Sequence, residues 1–191
     1  MGPSGFTVIY DACILYSAVN RDFFMRLGKS SLFRACWTRR IQDEWANALL
    51  RDRPDIDPAR LERTKSLMNR SSLDCLVEGY EPLIEGLELP DNNDRHVLAA
   101  AIKSGASEII TFNLKDFPES ALRRFGLNAR HPDEFAASLF DLSTAEVLLA
   151  ARRQRESLKS PPLTVDEFVS RIRSAGLPKT AKRLEGYSSE L

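Results

Sequence analysis

Two short runs rich in apolar and β-branched residues, Phe6-Thr7-Val8-Ile9-Tyr10 and Glu108-Ile109-Ile110-Thr111-Phe112, flank a long stretch with helical patterning. Runs this short and this continuously apolar suit strands buried on both faces, as in a parallel sheet. Parallel neighbours need long crossovers, which the intervening helices would supply. With residues 73–77 as a further strand, the expected order is strand, helices, strand, helix, strand. That order predicts an α/β fold with a central parallel sheet flanked by helices. Such sheets bind ligands beyond the carboxyl ends of their strands. Asp11 occupies that place after the first run, and Asn113-Leu114-Lys115-Asp116 after the last.

Residues 30–50 read as helical, with Thr38 as a cap dividing two helices, and residues 60–68 as another helix after Pro54 and Pro58. Residues 83–89 are helical or irregular. Pro90-Asp91-Asn92-Asn93-Asp94 is a polar break that supplies an N-cap, and the helix after it runs to Lys103, with Gly105 as its stop. The character changes near Phe140. Residues 142–158 read as a helix capped by Ser143 or Thr144, and Ser160-Pro161-Pro162 breaks it. Thr164 caps a last helix, with Asp166 and Glu167 in its first turn. The residues beyond Pro178 read as weakly ordered. The 191 residues therefore divide into a domain over 1–140 and a C-terminal helical extension over 141–191.

No apolar run approaches the roughly 18 residues that a membrane span needs. Met1-Gly2-Pro3-Ser4-Gly5 lacks the pattern of a signal peptide. Cys13, Cys36 and Cys75 are odd in number and widely spaced, so a disulfide framework is not expected and a reducing cytoplasm is. Formal net charge is zero, but its distribution is uneven. Basic residues dominate from Arg21 to Arg70, including Arg39, Arg40, Arg51, Arg53, Arg60, Arg63 and Lys65, whereas residues 74–94 carry seven acids and no Lys or Arg. A basic face can follow a phosphate backbone in a neutral protein. The alternative is a set of solvated helix surfaces.

Four acids stand at element edges: Asp11, Glu44, Asp94 and Asp116. Carboxylates gathered at one end of a sheet repel one another unless a hard cation neutralises them. Oxygen ligation of that kind suits Mg²⁺ or Mn²⁺, and so phosphodiester chemistry. Each acid alone has a plainer reading: Asp94 as an N-cap, Glu44 as a solvated helix residue, Asp116 as a turn residue. Thr111 would orient a ligand or serve as an ordinary strand residue. His96 and His131 lack a partner histidine at ligand spacing, so His96 reads as a surface or RNA-facing residue. Trp37 and Trp45 read as core. No glycine-rich phosphate loop is present.

The segments Tyr10-Asp11-Ala12-Cys13-Ile14-Leu15-Tyr16, Glu44-Trp45, Asp94-Arg95-His96-Val97-Leu98-Ala99-Ala100-Ala101 and Thr111-Phe112-Asn113-Leu114-Lys115-Asp116-Phe117 resemble, in that order, the motifs of PIN-domain proteins. These are metal-dependent ribonucleases that include the toxins of VapBC-type toxin–antitoxin pairs. The resemblance covers about residues 6–140. It implies that Asp11, Glu44 and Asp94 are the first three metal-holding acids. The fourth position departs from the family pattern: Asn113 stands where many members carry Asp, and Asp116 is the candidate three residues later. The resemblance further implies cleavage of RNA, such as tRNA or rRNA, to a 5′-phosphate and a 3′-hydroxyl, an antitoxin partner, and a homodimer. The other reading is a PIN-like module with weak catalysis that binds RNA or a partner.

Overall fold

The computed structural model describes residues 5–72 and 74–191. β1 (Phe6–Tyr10), β2 (Phe33–Cys36), β3 (Glu108–Ile110) and β4 (Asn128–Arg130) form one parallel sheet in the order β2-β1-β3-β4. In the register, Val8 lies between Ala35 and Glu108, and Ile109 lies opposite Ala129. The two central strands are the two apolar runs of the sequence. Val8, Ile9, Tyr10, Ile109 and Ile110 are sealed from solvent, which is why these runs carry no polar alternation.

β2 falls inside the segment expected to be helical. Leu32, Ala35 and Cys36 have a spacing that also suits a helix turn, and periodicity cannot separate a four-residue buried strand from a helix segment. Thr38 does cap a helix: its Oγ1 accepts the Ile41 N–H at 3.0 Å at the start of α3 (Arg39–Asp52). What precedes that cap is a strand rather than a helix. Of the expected strand over 73–77, residue 73 lies outside the described residues, and Leu76 forms an isolated parallel bridge to Trp37. The signal-peptide reading of residues 1–4 likewise lies outside them.

β1 leads into α1 (Ala12–Tyr16) and α2 (Ala18–Leu27), and α4 (Pro58–Ser71) follows α3. α5 (Arg95–Ser104) buries Val97 through Ala101 against the sheet and stops at Gly105, whose φ of 65° is a left-handed conformation that suits glycine. α6 (Glu119–Leu122) leads toward β4.

α7 (Pro132–Ser157) crosses residue 140 and bends at Ser143, which leaves helical geometry at φ −162° and ψ 97°. Its Oγ accepts the Glu146 N–H at 3.4 Å, so the cap expected near 143 is present within one helix. α8 (Val165–Ser174) opens on a capping box between Thr164 and Glu167. The residues beyond Pro178 are not weakly ordered, as their polarity suggested. They form α9 (Pro178–Glu185), and Leu191 is buried with its carbonyl accepting from Arg155 Nε at 2.9 Å. Their order comes from tertiary contacts. The carboxylate of Asp133, itself 3% exposed, accepts the N–H groups of Lys179 and Thr180 at 2.8 Å each and the Thr180 hydroxyl at 2.8 Å. Gln154 Nε2 donates to Val19 O and Asn20 Nδ2 to Ala175 O, both at 2.9 Å, fixing the C-terminal helices to α2. No described helix is long and apolar enough to cross a membrane.

Candidate active site

The carboxyl edge of the central strands positions the first acid. The Asp11 N–H donates to Ile110 O at 3.1 Å, continuing the β1–β3 ladder one residue past the strand. Its side chain is 5% exposed. Oδ1 accepts the Ala12 N–H at 2.6 Å, and Oδ2 accepts the Thr111 hydroxyl at 2.7 Å and the Cys13 thiol at 3.1 Å. Thr111 in turn accepts the Asn113 N–H at 2.9 Å, and Cys13 Sγ accepts the Phe112 N–H at 3.3 Å. Burial first, and then the Asp11 charge, pushes the Cys13 thiol up to about 12, so it remains a donor to Asp11. Thr111, read from the sequence as either a ligand-orienting or an ordinary strand residue, donates its hydroxyl to Asp11. Thr111→Val keeps the branched shape and removes that donor, and loss of such a supporting bond typically costs about 10–100-fold in metal affinity or activity. We expect a Thr111→Val loss in that range in divalent-ion titrations; wild-type affinity would contradict the assignment.

Glu44 projects from α3 with its side chain 36% exposed. Its Oε1 accepts from Arg40 Nε at 3.2 Å and lies 2.8 Å from His96 Nε2. Among the described residues Oε2 has no hydrogen-bond partner. His96 is 1% exposed, which corrects its reading as a surface residue. An isolated histidine within an alanine-rich helix gives no local signal of that burial, because its partner lies on another helix. Trp37 and Trp45 are core residues, as their spacing suggested.

Asp94 stands at the N-cap of α5, yet its carboxylate makes no capping hydrogen bond. Asp91 caps the preceding turn instead, accepting the Asn93 N–H at 2.8 Å. The plain N-cap reading of Asp94 therefore fails. Burial, followed by the charges of Asp11, Asp91, Asp116 and Glu44, pushes the Asp94 carboxyl up from 3.8 to about 7. The charges of the other three acids singled out in the sequence thus reach Asp94, although all four come from separate segments. Asp116 ends a 3₁₀ turn over Leu114–Asp116 and is half-buried, whereas the Asn113 side chain is exposed. Among the described residues, no group of three His, Cys, Asp or Glu side chains forms a finished metal cage. The acids share an electrostatic field and an all-oxygen donor set. Both fit a hard divalent cation in chemical character.

A family model described as PIN domain matches residues 7–115, and one described as VapC50 C-terminal domain matches residues 132–186. The chain is similar to the Mycobacterium tuberculosis (strain ATCC 25618 / H37Rv) protein named "Putative ribonuclease VapC50", with 38% identity over 89 residues. That alignment spans 45% of this chain and 50% of the relative. No solved structure matches the chain significantly.

Proposed function

Because this chain belongs to the PIN-domain family, we propose that it is a Mg²⁺- or Mn²⁺-dependent endoribonuclease whose ion is held by Asp11, Glu44, Asp94 and Asp116. The observation that carries this reading is the Asp94 carboxyl held near 7 by burial and by surrounding acids. Burial of that charge, with the repulsion around it, is a standing cost in a protein without a cation, and perturbed carboxyls of this kind concentrate at functional sites. A bound divalent ion would supply an activated water and stabilise charge on the departing oxygen.

The chain's own residues do the rest. Thr111 and Cys13 fix Asp11, which is nearly buried, in one orientation. Arg40 and His96 hold Glu44 by one oxygen and leave the other free to ligate the ion or to take a proton from water. Asp94 takes up a proton near neutrality in the ion-free protein, so cation binding there competes with protons and strengthens as pH rises through about 7. Arg51, Arg60 and Arg63 are exposed and make no ion pair among the described residues, which leaves them available to phosphates. Lys65 differs: it is committed to Asp43 at 2.7 Å and Glu62 at 2.6 Å.

The match of residues 132–186 to the VapC50 C-terminal domain supports the further reading of a VapC-type toxin with a small antitoxin as partner. In this reading, residues 1–140 carry catalysis and 141–191 form the helical extension, the protein works in the cytoplasm, and pairing into a homodimer extends the basic groove. The antitoxin would inhibit by placing a basic side chain in the acidic cluster or by blocking RNA access.

Purified protein incubated with total tRNA and rRNA should cut with Mg²⁺ or Mn²⁺, stop with EDTA, and leave 5′-phosphate and 3′-hydroxyl ends. RNA bound equally well with and without the ion, and never cut, would establish the binding-module reading instead.

A further inference from the structure

Resting on the metal-site reading above, we infer that His96 is a positioning residue that aims Glu44 into the acidic cluster and acts on the ion only through it. Asp94 lies in the field of the other acids, and His96, two residues on, is buried in the core. His96 Nε2 lies 2.8 Å from Glu44 Oε1, within ion-pair distance, so that nitrogen faces the carboxylate. Nδ1 is buried and has no hydrogen-bond partner among the described residues. Neither nitrogen is therefore open to a cation. A leucine would fill the same interior without stranding a buried nitrogen, and the Glu44 bond is the interaction that offsets that cost.

Glu44 needs such a restraint. It sits on a helix surface with three rotatable side-chain bonds, and a solvated glutamate there would sample many rotamers. Arg40, one turn earlier, holds the same oxygen that His96 holds. Its Nη2 also reaches Asn93 O at 3.5 Å, linking α3 to the turn that presents Asp94. Both donors converge on Oε1, so the pair leaves Oε2 as the oxygen presented to an ion. Ligating carboxylates are commonly fixed by outer hydrogen bonds of this type.

The test is Mn²⁺ binding by calorimetry on the full chain, with the metal-free melting temperature of each variant measured in parallel. The amide of His96→Gln places an N–H near the Nε2 position, whereas the shorter His96→Asn cannot reach Glu44. Mn²⁺ binding is expected to weaken about 10–100-fold in His96→Asn and less than about 10-fold in His96→Gln. In a Glu44→Gln background, His96→Asn should add no further loss. Equal weakening by Gln and Asn, no weakening by either, or a loss that adds to that of Glu44→Gln would each overturn the positioning role. A wild-type protein that binds no Mn²⁺ would instead remove the metal-site reading on which this inference rests.

Discussion

Asp94→Asn should abolish metal-dependent RNA cleavage and, in the metal-free protein at pH 8, raise the melting temperature. The two effects share one cause. The Asp94 carboxyl stands at about 7 in the folded chain against an ordinary 3.8. Between those values the folded protein keeps a proton that the unfolded chain has lost, so stability falls as pH rises across that window. Above pH 7 the whole cost is present; below about 4 it vanishes. A shift of one unit corresponds to about 1.4 kcal/mol. Asp94 is only half-buried, and water screens part of the repulsion, so a stabilisation of about 1–2 kcal/mol is expected. In a chain of this length that is roughly 2–8 °C. The gain should shrink on acidification toward pH 4. On the activity side, loss of a ligand should exceed the roughly 10–100-fold cost of losing a supporting residue. A variant that melts lower than wild type without metal at pH 8, or that still cleaves, would sink this account of Asp94.

Asp133→Ala should be the most destabilising single change outside the apolar core. The carboxylate is buried and accepts two backbone N–H groups of the first turn of α9 together with the Thr180 hydroxyl. Hydrogen bonds to a charged group contribute about 1.5–3 kcal/mol, and removing the acceptor strands buried donors. Loss of a helix cap alone costs about 0.5–2 kcal/mol. Because these contributions overlap, a net loss of about 3 kcal/mol is expected, or roughly 6–12 °C in melting temperature. Asp133→Asn, which keeps one acceptor oxygen, should lose less. An Asp133→Ala protein that melts within about 1 °C of wild type would show that α9 is held by its apolar face alone.

The parts of the molecule readable from sequence are those with strong local causes. β1 and β3 are buried on both faces and carry apolar runs to match. Gly105 and Thr164 stop and start helices through their own backbone and side-chain chemistry. Asp11 followed from β1, because an acid directly after a buried strand needs a partner, and Thr111 and Cys13 provide one. The remaining features depend on distant contacts. β2 and β4 are short strands whose pairing with β1 and β3 defines them. His96 looks like any helix residue until Glu44 is placed beside it. The order of the C-terminal residues rests on Asp133, more than forty positions away in sequence from Thr180.

The fourth acid shows the same division. The PIN-domain pattern places this acid at position 113, where this chain has Asn. The Asn113 side chain is exposed and its backbone N–H serves Thr111, whereas the Asp116 charge reaches Asp94. Asp116 is therefore our proposed fourth acid, with Asn113 and Thr111 shaping the loop beneath it.

The most direct measurement is manganese anomalous scattering from crystals of the wild-type protein grown with Mn²⁺. An anomalous peak is expected, bounded by the carboxylates of Asp11, Glu44, Asp94 and Asp116 and absent from Asp94→Asn crystals grown in the same way. Protein that cleaves RNA with Mn²⁺ in solution, yet shows no peak among these acids or a peak elsewhere, would contradict that expectation.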